Sequence, residues 1–340
     1  MNITELKQVY DIANRDEKWK ILYTTVKDIG ITELWKNNKR DKCDYASFRN
    51  ARESVSVLLW HYVGRRIPVV NKLISKRTLG PKYVEYYRLP TWHYEFLEDA
   101  YNVQYNIERY KNVYDSLGDE KSKEVLCNIL MARVTKDNKY YRYSMDISSD
   151  YPQYFDKSLL PTPKNNDVFV DCGGYIGDSV EQFIERYNRN YKKIYMFEPE
   201  RNNIKIAKKV LTNYRDVEII EAGVGREEGD LYFNGSDSGG RIQKTGTYKI
   251  SVRSIDDSVK EPVTFIKMDI EGAEKDALYG AKQQIANYSP TLTICVYHLR
   301  DDIYSIFEQI KTYRDDYSVY LRHYTDTGFE TVMYFIPRDK

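Results

Sequence analysis

The sequence lacks the features by which several classes of protein are recognised. Its four cysteines form no CxxC pair or other close metal-like spacing, so we expect free thiols in a reducing compartment. It contains no run of about 18 apolar residues, and its first twenty residues carry charges throughout, without the apolar core of a signal peptide. These absences predict a cytoplasmic protein that does not insert into a membrane.

The sequence also has no excess of charge of either sign. Lysine and arginine total 52 against 51 aspartate and glutamate residues, which gives a net charge of +1. Because no global positive field would attract a polyanion, we do not expect nucleic acid as a partner. The chain has 340 residues and exceeds the usual size of one domain, so two unequal domains are expected.

Apolar residues recur at helical spacing up to about residue 136. The pattern predicts five or six helices, in segments 16–30, 44–66, 69–76, 91–118 and 119–134. We therefore predict a helical N-terminal domain over residues 1–147 that serves substrate recognition or assembly into a homo-oligomer. Prolines and polar residues interrupt the pattern over residues 148–166, which predicts a linker with an apolar anchor around Tyr154, Phe155 and Leu159.

Strand and helix patterns alternate from residue 167 to residue 340. This alternation predicts an α/β domain with a doubly wound, mostly parallel, Rossmann-like sheet of seven strands, in which the last strand is antiparallel. Ligands bind at the carboxyl ends of the strands in such sheets. The polar residues at four of these ends are Asp171, Glu198, Asp269 and His298.

The stretch DVFVDCGGYIGDS, residues 167–179, predicts a buried strand, a glycine turn and the start of a helix. Cys172 stands where a dinucleotide-binding motif requires its first glycine. Asp171 and Asp178 flank the turn, which is unfavourable for a pyrophosphate and suits a ligand with a cationic end, such as S-adenosylmethionine. Glu198 lies at the end of the second strand, where an acidic side chain can accept hydrogen bonds from both ribose hydroxyls.

Several segments of this half of the chain resemble the FkbM-type S-adenosylmethionine-dependent methyltransferases, which belong to the class I Rossmann-like group. The segments are VFVDCGGYIGDSVEQF, MFEPERNN, RSIDD, FIKMDIEGAEKDAL, ICVYHLRDDIYSI and YLRHYTDTGFETVMYFI. The resemblance covers about residues 150 to 337. It implies methyl transfer by a bacterial enzyme, mainly to hydroxyl oxygens of sugars or of polyketide-type natural products.

The resemblance, together with the charges of the turn, assigns a set of cofactor-binding residues. The methionine end would lie at the turn, the ribose at the second strand and the adenosine near the second helix and the third strand. The set consists of Asp171, Gly173, Gly174, Gly177, Asp178, Glu198, Asn203 and Gly223.

Methyl transfer requires an acceptor aligned with the methyl carbon and a group that takes up its proton. We predict that His298 or Asp269 is the general base and that Glu271 positions a small-molecule or glycan acceptor. As a less favoured alternative, Asp269, Glu271 and His298 bind one divalent metal ion that acidifies the acceptor hydroxyl. A purely structural alternative is that Asp269 and Glu271 cap the following helix.

Three other functions remain open from the sequence. Methylation of a small amine would use the same residues. A non-catalytic module that kept the fold would bind a ligand without turnover, and a nicotinamide oxidoreductase would bind NADH instead of S-adenosylmethionine. Methylation of a nucleic acid is disfavoured, because residues 269–272 read DIEG and not an aromatic and proline-rich motif that could stack on a flipped base.

Overall fold

The computed structural model describes residues 1–36, 97–146, 153–234, 241–243 and 248–338. The chain divides into two units, one formed by Met1–Ile107 with Arg133–Lys136 and the other by Glu108–Ala132 with Asp137–Lys340. The helices predicted over 44–66 and 69–76 lie outside the described residues. The predicted domain boundaries at 147 and 166 remain a prediction.

The first unit is helical throughout its described part. The side chains of Asn2 and Asn14 each form a capping box at a helix start, with Glu5 and Glu17, which satisfies backbone amides that would otherwise lack partners. Its helices are α1 (Ile3–Ile12), α2 (Arg15–Thr24), a π-helical turn (Thr25–Ile29), α3 (Ile31–Lys36) and α4 (Glu98–Tyr105).

The second unit contains the predicted seven-stranded sheet, in the order β10-β11-β9-β8-β1-β2-β3. Strand β11 is antiparallel to both of its neighbours, while β9, β8, β1, β2 and β3 pair in parallel. The fold class is thus confirmed. The strands of this sheet are β1 (Val168–Cys172), β2 (Lys193–Phe197), β3 (Val217–Ile220), β8 (Phe265–Met268), β9 (Thr291–Cys295), β10 (Tyr317–His323) and β11 (Thr331–Pro337).

Helices connect these strands, and an additional small sheet is inserted after β3. The small sheet has the order β4-β7-β5-β6, with strands β4 (Gly223–Val224), β5 (Gly229–Asn234), β6 (Arg241–Gln243) and β7 (Tyr248–Arg253). The remaining helices are α5 (Ile107–Ser116), α6 (Glu120–Thr135), α7 (Lys139–Ser144), α8 (Asp178–Arg186), α9 (Arg201–Val210), α10 (Ile255–Ser258), α11 (Glu274–Tyr279), α12 (Lys282–Tyr288) and α13 (Asp302–Tyr313).

Aromatic rings form the core between α8 and the sheet. Phe169 of β1 and Phe183 of α8 stack with ring centroids 4.3 Å apart, and Phe265 of β8 lies 5.5 Å from Phe169. Phe155, from the predicted linker, is fully buried against all three rings. Since burying one such side chain contributes about 1.5–3 kcal/mol, the segment around Phe155 is anchored firmly to the sheet.

Strand β10 lies at the edge of the sheet, and the segment around α6 and α7 covers its backbone. The amide of Gly118 donates to the Val319 carbonyl at 2.8 Å, and the amide of Asp146 donates to the His323 carbonyl at 2.8 Å. This cover removes an exposed edge that could pair with another chain. Within the part of the chain that the structure describes, no helix has both the length and the apolar character needed to cross a bilayer.

Candidate active site

A glycine turn joins β1 to α8 and contacts the loop that follows β8. Gly173 has a φ of +79°, and a Cβ atom there would lie 2.0 Å from the carbonyl oxygen of Asp269. The amide of Asp269 donates to the Cys172 carbonyl at 3.1 Å. Both the left-handed backbone and the close approach require glycine. The predicted cofactor turn and the predicted catalytic carboxylate are therefore in direct backbone contact.

The other glycines of the turn have structural roles in packing and in the start of α8. A Cβ atom on Gly174 would lie 2.3 Å from the side chain of Met196 on the neighbouring strand. Gly177 has a φ of +93° and is the N-cap residue of α8. Asp178 is the first residue of that helix and is exposed, a position where a carboxylate offsets the helix dipole.

Asp171 is fully buried and forms an ion pair with a lysine on the adjacent strand. Lys267 Nζ lies 3.0 Å from Asp171 Oδ1 and donates to the Gly173 carbonyl at 2.7 Å. Burial alone would lower the pKa of Lys267, but the carboxylates of Asp171 and Asp269 raise it above its usual value. The amine is therefore charged, and it links the turn to Asp269. Sequence reasoning missed Lys267, although a charged residue within the apolar run FIKM was a signal.

Glu198, at the end of β2, is also buried and connects two loops. It accepts hydrogen bonds from the amides of Tyr175 at 2.9 Å and Glu200 at 2.8 Å, and from the side chain of Asn203 at 3.2 Å. Burial raises its pKa above the usual value. The structure thus brings Glu198 and Asn203 together, as the sequence assignment requires. Gly223 is the first residue of β4, which pairs with β7.

Three acidic side chains surround His298, which lies in the loop after β9. Asp269 Oδ1 lies 3.3 Å and Glu271 Oε2 3.8 Å from Nε2 of the imidazole, while Glu274 Oε1 lies 2.9 Å from Nδ1. The His298 side chain is 3% exposed. The three residues predicted as catalytic are therefore adjacent. Glu274, which was not predicted, completes the group from the first turn of α11.

The arrangement determines the charge of the imidazole. Burial would lower the pKa of His298, but Asp269 and Glu274 raise it to about 10. Burial would likewise raise the pKa of Asp269, yet His298, Lys267 and Tyr154 hold it well below its usual range. At neutral pH an imidazolium therefore lies between carboxylates. His298 must lose this proton before it can act as a base.

The geometry also bears on the two alternative roles of these residues. Asp269, Glu274 and His298 each offer a potential metal-ligand atom within 4.8 Å of the others. However, Asp269 and Glu274 face opposite ring nitrogens, which suits an imidazolium that both of them stabilise, whereas a metal ion requires a neutral ring. The second alternative is that Asp269 and Glu271 cap the following helix, α11. The N-cap residue of α11 is Ala273, which provides no side-chain cap, and the amide of Ile270 donates to the Glu274 carboxylate at 3.0 Å.

Two tyrosines and a third glutamate, Glu330, complete the surroundings of Asp269. The hydroxyl of Tyr154 donates to Asp269 Oδ2 at 2.6 Å, and the hydroxyl of Tyr297 lies 3.4 Å from Asp269 Oδ1 and 3.5 Å from Glu330 Oε1. Burial and the charge of Asp269 raise the pKa of Glu330. No local sequence pattern signals these contacts, because Tyr154 is 115 positions from Asp269.

A cleft of about 830 Å³ opens beside this group. Its lining includes Glu271, Gly272, Ala273 and Leu299, together with residues 224–231, which span the end of β4, the following turn and the start of β5. Glu271 has a φ of +57°, which is uncommon for a residue with a side chain and marks strain that often accompanies function. Its carboxylate therefore borders both the cleft and His298.

Comparison with known proteins supports a methyltransferase fold. Residues 171–323 match the model of the Methyltransferase FkbM domain. The solved structure of Methyltransferase FkbM from Methylobacillus flagellatus KT is 30% identical in sequence, with a TM-score of 0.60. The alignment covers 68% of this chain and 59% of that protein, so the chain spans less than two thirds of its length.

More distant structures also match. An rRNA methylase from Streptococcus thermophilus is 13% identical, with a TM-score of 0.36, over 53% of this chain and 90% of its own. Fibrillarin from Aeropyrum pernix, solved with natively bound S-adenosyl-L-methionine, is 10% identical, with a TM-score of 0.37, over 54% of this chain and 73% of its own. No match was found among curated proteins.

Proposed function

This chain belongs to the FkbM methyltransferase family, and from that premise we propose that it transfers a methyl group from S-adenosylmethionine to a hydroxyl oxygen of a saccharide or glycosylated metabolite. The observation that carries the proposal is the backbone contact between Gly173 and Asp269. It joins the turn suited to the cofactor to the carboxylate suited to the acceptor. The cofactor, when bound, supplies the activated methyl group.

The residues of this chain would hold the cofactor by complementary charge and hydrogen bonding. Glu198 would accept hydrogen bonds from the ribose hydroxyls, with Asn203 and the Tyr175 amide fixing its carboxylate. Asp171 and the glycine turn would receive the cationic amino acid end. Lys267 forms an ion pair with Asp171 and so balances its charge beneath the turn.

The acceptor would reach Asp269 along the cleft that Glu271 borders. Since His298 is protonated at neutral pH, Asp269 is the better of the two predicted bases, and the imidazolium would stabilise its charge. Glu271 would orient the acceptor hydroxyl. A weak base suffices, because the methyl group leaves a sulfonium and the proton can depart late. No step in this scheme requires a metal ion.

An amine acceptor is the second candidate. The carboxylates of Asp269, Glu271 and Glu330 at one edge of the sheet would attract an ammonium group, and one of them would take its proton before transfer. Location in the bacterial cytoplasm and assembly through the N-terminal helices also remain proposals.

Calorimetric titration of the full chain with S-adenosylmethionine tests the cofactor assignment. Glu198→Gln keeps the shape of the side chain but removes its charge, so the Kd should rise about tenfold, equivalent to about 1.4 kcal/mol. Glu185→Gln, an exposed carboxylate on α8, is the matched control and should bind as the wild type does. Failure of the wild type to bind at millimolar cofactor would favour a non-catalytic module.

The catalytic assignment is tested with two further variants and a labelled-methyl assay on cell extracts. Asp269→Asn and His298→Ala should each reduce methyl transfer by at least a hundredfold while S-adenosylmethionine still binds. Transfer within a few fold of wild type in both variants would show that these residues are not the catalytic centre.

A further inference from the structure

The turn between β10 and β11 presents an exposed aromatic ring next to the candidate active site. Phe329 is 62% exposed, although the backbone around it is well ordered by hydrogen bonds. Thr325 Oγ1 donates to the Phe329 carbonyl at 2.8 Å, and the Tyr324 amide donates to the Glu330 carbonyl at 3.1 Å. The fold therefore holds a large apolar side chain in water at a fixed position.

Phe329 is connected to Asp269 through the side chain of Tyr297. Its ring lies 6.0 Å from the ring of Tyr297, nearly perpendicular to it at 88°. The Tyr297 hydroxyl lies between the carboxylates of Asp269 and Glu330, at 3.4 and 3.5 Å. Phe329, Tyr297 and Glu330, which we call the aromatic platform, are thus connected to the catalytic carboxylate through one shared hydroxyl group.

The backbone of Glu330 supports a functional role for this platform. Its φ is +60°, a strained conformation that a residue with a side chain rarely adopts. A second hydrogen bond, from the Gln153 side chain, fixes its carboxylate. The strained residue is therefore held in place from two sides, beside an exposed ring.

The chemistry of the platform matches one class of ligand. The face of an aromatic ring is electron-rich and attracts the weakly positive C–H bonds on the face of a sugar ring. A carboxylate beside it accepts hydrogen bonds from ring hydroxyls, which are donors. Asp269, Glu271 and Glu330 would repel a phosphate or a uronic acid at this place, since like charges nearby are unfavourable in a partly buried site.

We propose that the aromatic platform binds the sugar ring of the acceptor and selects an uncharged or amino saccharide over an anionic one. Phe329 packs on the C–H face of the ring, and Glu330 accepts a hydrogen bond from one of its hydroxyls. The inference rests on the proposed methyl transfer and adds the class of its acceptor. It concerns acceptor binding alone, so cofactor binding does not depend on it.

The test uses the full chain, labelled S-adenosylmethionine and glycans from cell extracts, separated by ion exchange into neutral, cationic and anionic fractions. The label should enter the neutral or the cationic fraction. Phe329→Ala should lower kcat/KM for that fraction at least tenfold, mainly through KM, with the Kd for S-adenosylmethionine unchanged. Phe329→Tyr should restore most of the activity, and Glu330→Gln should raise KM several fold.

Tyr288→Ala is the matched control, because Tyr288 is also an exposed aromatic residue, 48% exposed, but lies at the end of α12, before the amino end of β9. It should leave all constants unchanged. Label in the anionic fraction alone, or equal kcat/KM for the two alanine variants, would overturn the platform. A wild-type protein that neither binds S-adenosylmethionine nor transfers its methyl group would instead overturn the proposed function and this inference with it.

Discussion

Lys267 compensates the charge of two carboxylates that belong to different parts of the candidate site. Its amine pairs with Asp171 beneath the glycine turn, and its charge also acts on Asp269, two residues further along the chain. The Tyr154 ring covers the amine, with Nζ 4.9 Å from the ring centroid. Because the pair is buried, the loss of one partner leaves an uncompensated charge that water cannot solvate.

Replacement of Lys267 by methionine should therefore destabilise the protein by about 3–5 kcal/mol. The double variant Lys267→Met with Asp171→Asn removes both charges of the ion pair and should recover part of this loss, since Asp269 still lacks the charge of Lys267. Urea unfolding of the wild type, both single variants and the double variant measures the coupling. If the two single effects add within about 0.5 kcal/mol, the residues do not form a coupled pair.

The titration of His298 should make the free energy of unfolding depend on pH between the unfolded and the folded pKa of its imidazole. Its pKa is about 10 in the folded protein, against about 6.5 in an unfolded chain. The folded state therefore binds more protons between these values, so the contribution is complete below about pH 6.5 and is lost as the pH rises toward 10. The slope is at most about 1.4 kcal/mol per pH unit.

The measurement compares the wild type with His298→Gln, which cannot titrate. The difference in unfolding free energy between them should shrink steadily from pH 6.5 to pH 10. A difference that stays constant over this interval would mean that His298 does not gain a proton on folding.

The residues that the sequence predicted share one property, and two of those that it missed, Tyr154 and Glu330, share another. Asp171 directly precedes the last residue of a parallel strand, and Glu198 and Asp269 each directly follow one. Topology alone brings such positions to one edge of the sheet. Glu330 and Tyr154 instead reach Asp269 through contacts between segments distant in the sequence. No local pattern encodes such contacts, so their prediction requires the fold itself.

At the scale of elements, the glycine turn should tolerate no side chain at Gly173. In Gly173→Ala the new Cβ would lie 2.0 Å from the Asp269 carbonyl, on a backbone with φ of +79°. The turn must then move away from the loop after β8, and we expect S-adenosylmethionine affinity to fall by at least tenfold. Gly229→Ala is the matched control, because no atom lies within 4 Å of its Cβ position. Calorimetry on both variants decides, and equal affinities would refute the role of the turn.

Element patterns predicted the alternating strands and helices well, and failed where pairing is non-local. The strands β1, β8 and β9 are buried along their whole length, which is why they read as apolar runs. The apolar runs of β5 and β7 alone favour a simple hairpin, whereas the structure has a four-stranded sheet there. The parallel pairing between β4 and β7 joins Gly223 to Val252 and Val224 to Arg253, residues 29 positions apart. The helix expected over residues 91–118 is interrupted at Asn106.

For the whole molecule, the covering of β10 decides where the chain can be divided. Arg322 on β10 is buried and pairs with Asp119 at 2.7 Å, and Ser122 accepts a hydrogen bond from the Leu321 amide at 2.9 Å. The segment from Glu108 to Asp146 thus supplies partners for an edge strand and for a buried cation. The predicted linker at 148–166 would separate these partners from the sheet.

Two shortened chains should therefore behave differently. A chain of residues 108–340 keeps the second unit whole and should fold cooperatively, whereas a chain of residues 148–340 leaves Arg322 without Asp119 and exposes β10. In the shorter chain Arg322 retains its longer contact with Asp156 at 3.7 Å but loses the closer pair with Asp119. We therefore expect that chain to be the less stable of the two, and an open strand edge favours aggregation. Thermal unfolding and size-exclusion chromatography of both chains provide the measurement. Equal melting temperatures and equal monomer fractions would place the boundary at the linker, as the sequence alone predicts, and would show that residues 108–146 contribute little to the sheet that carries the site.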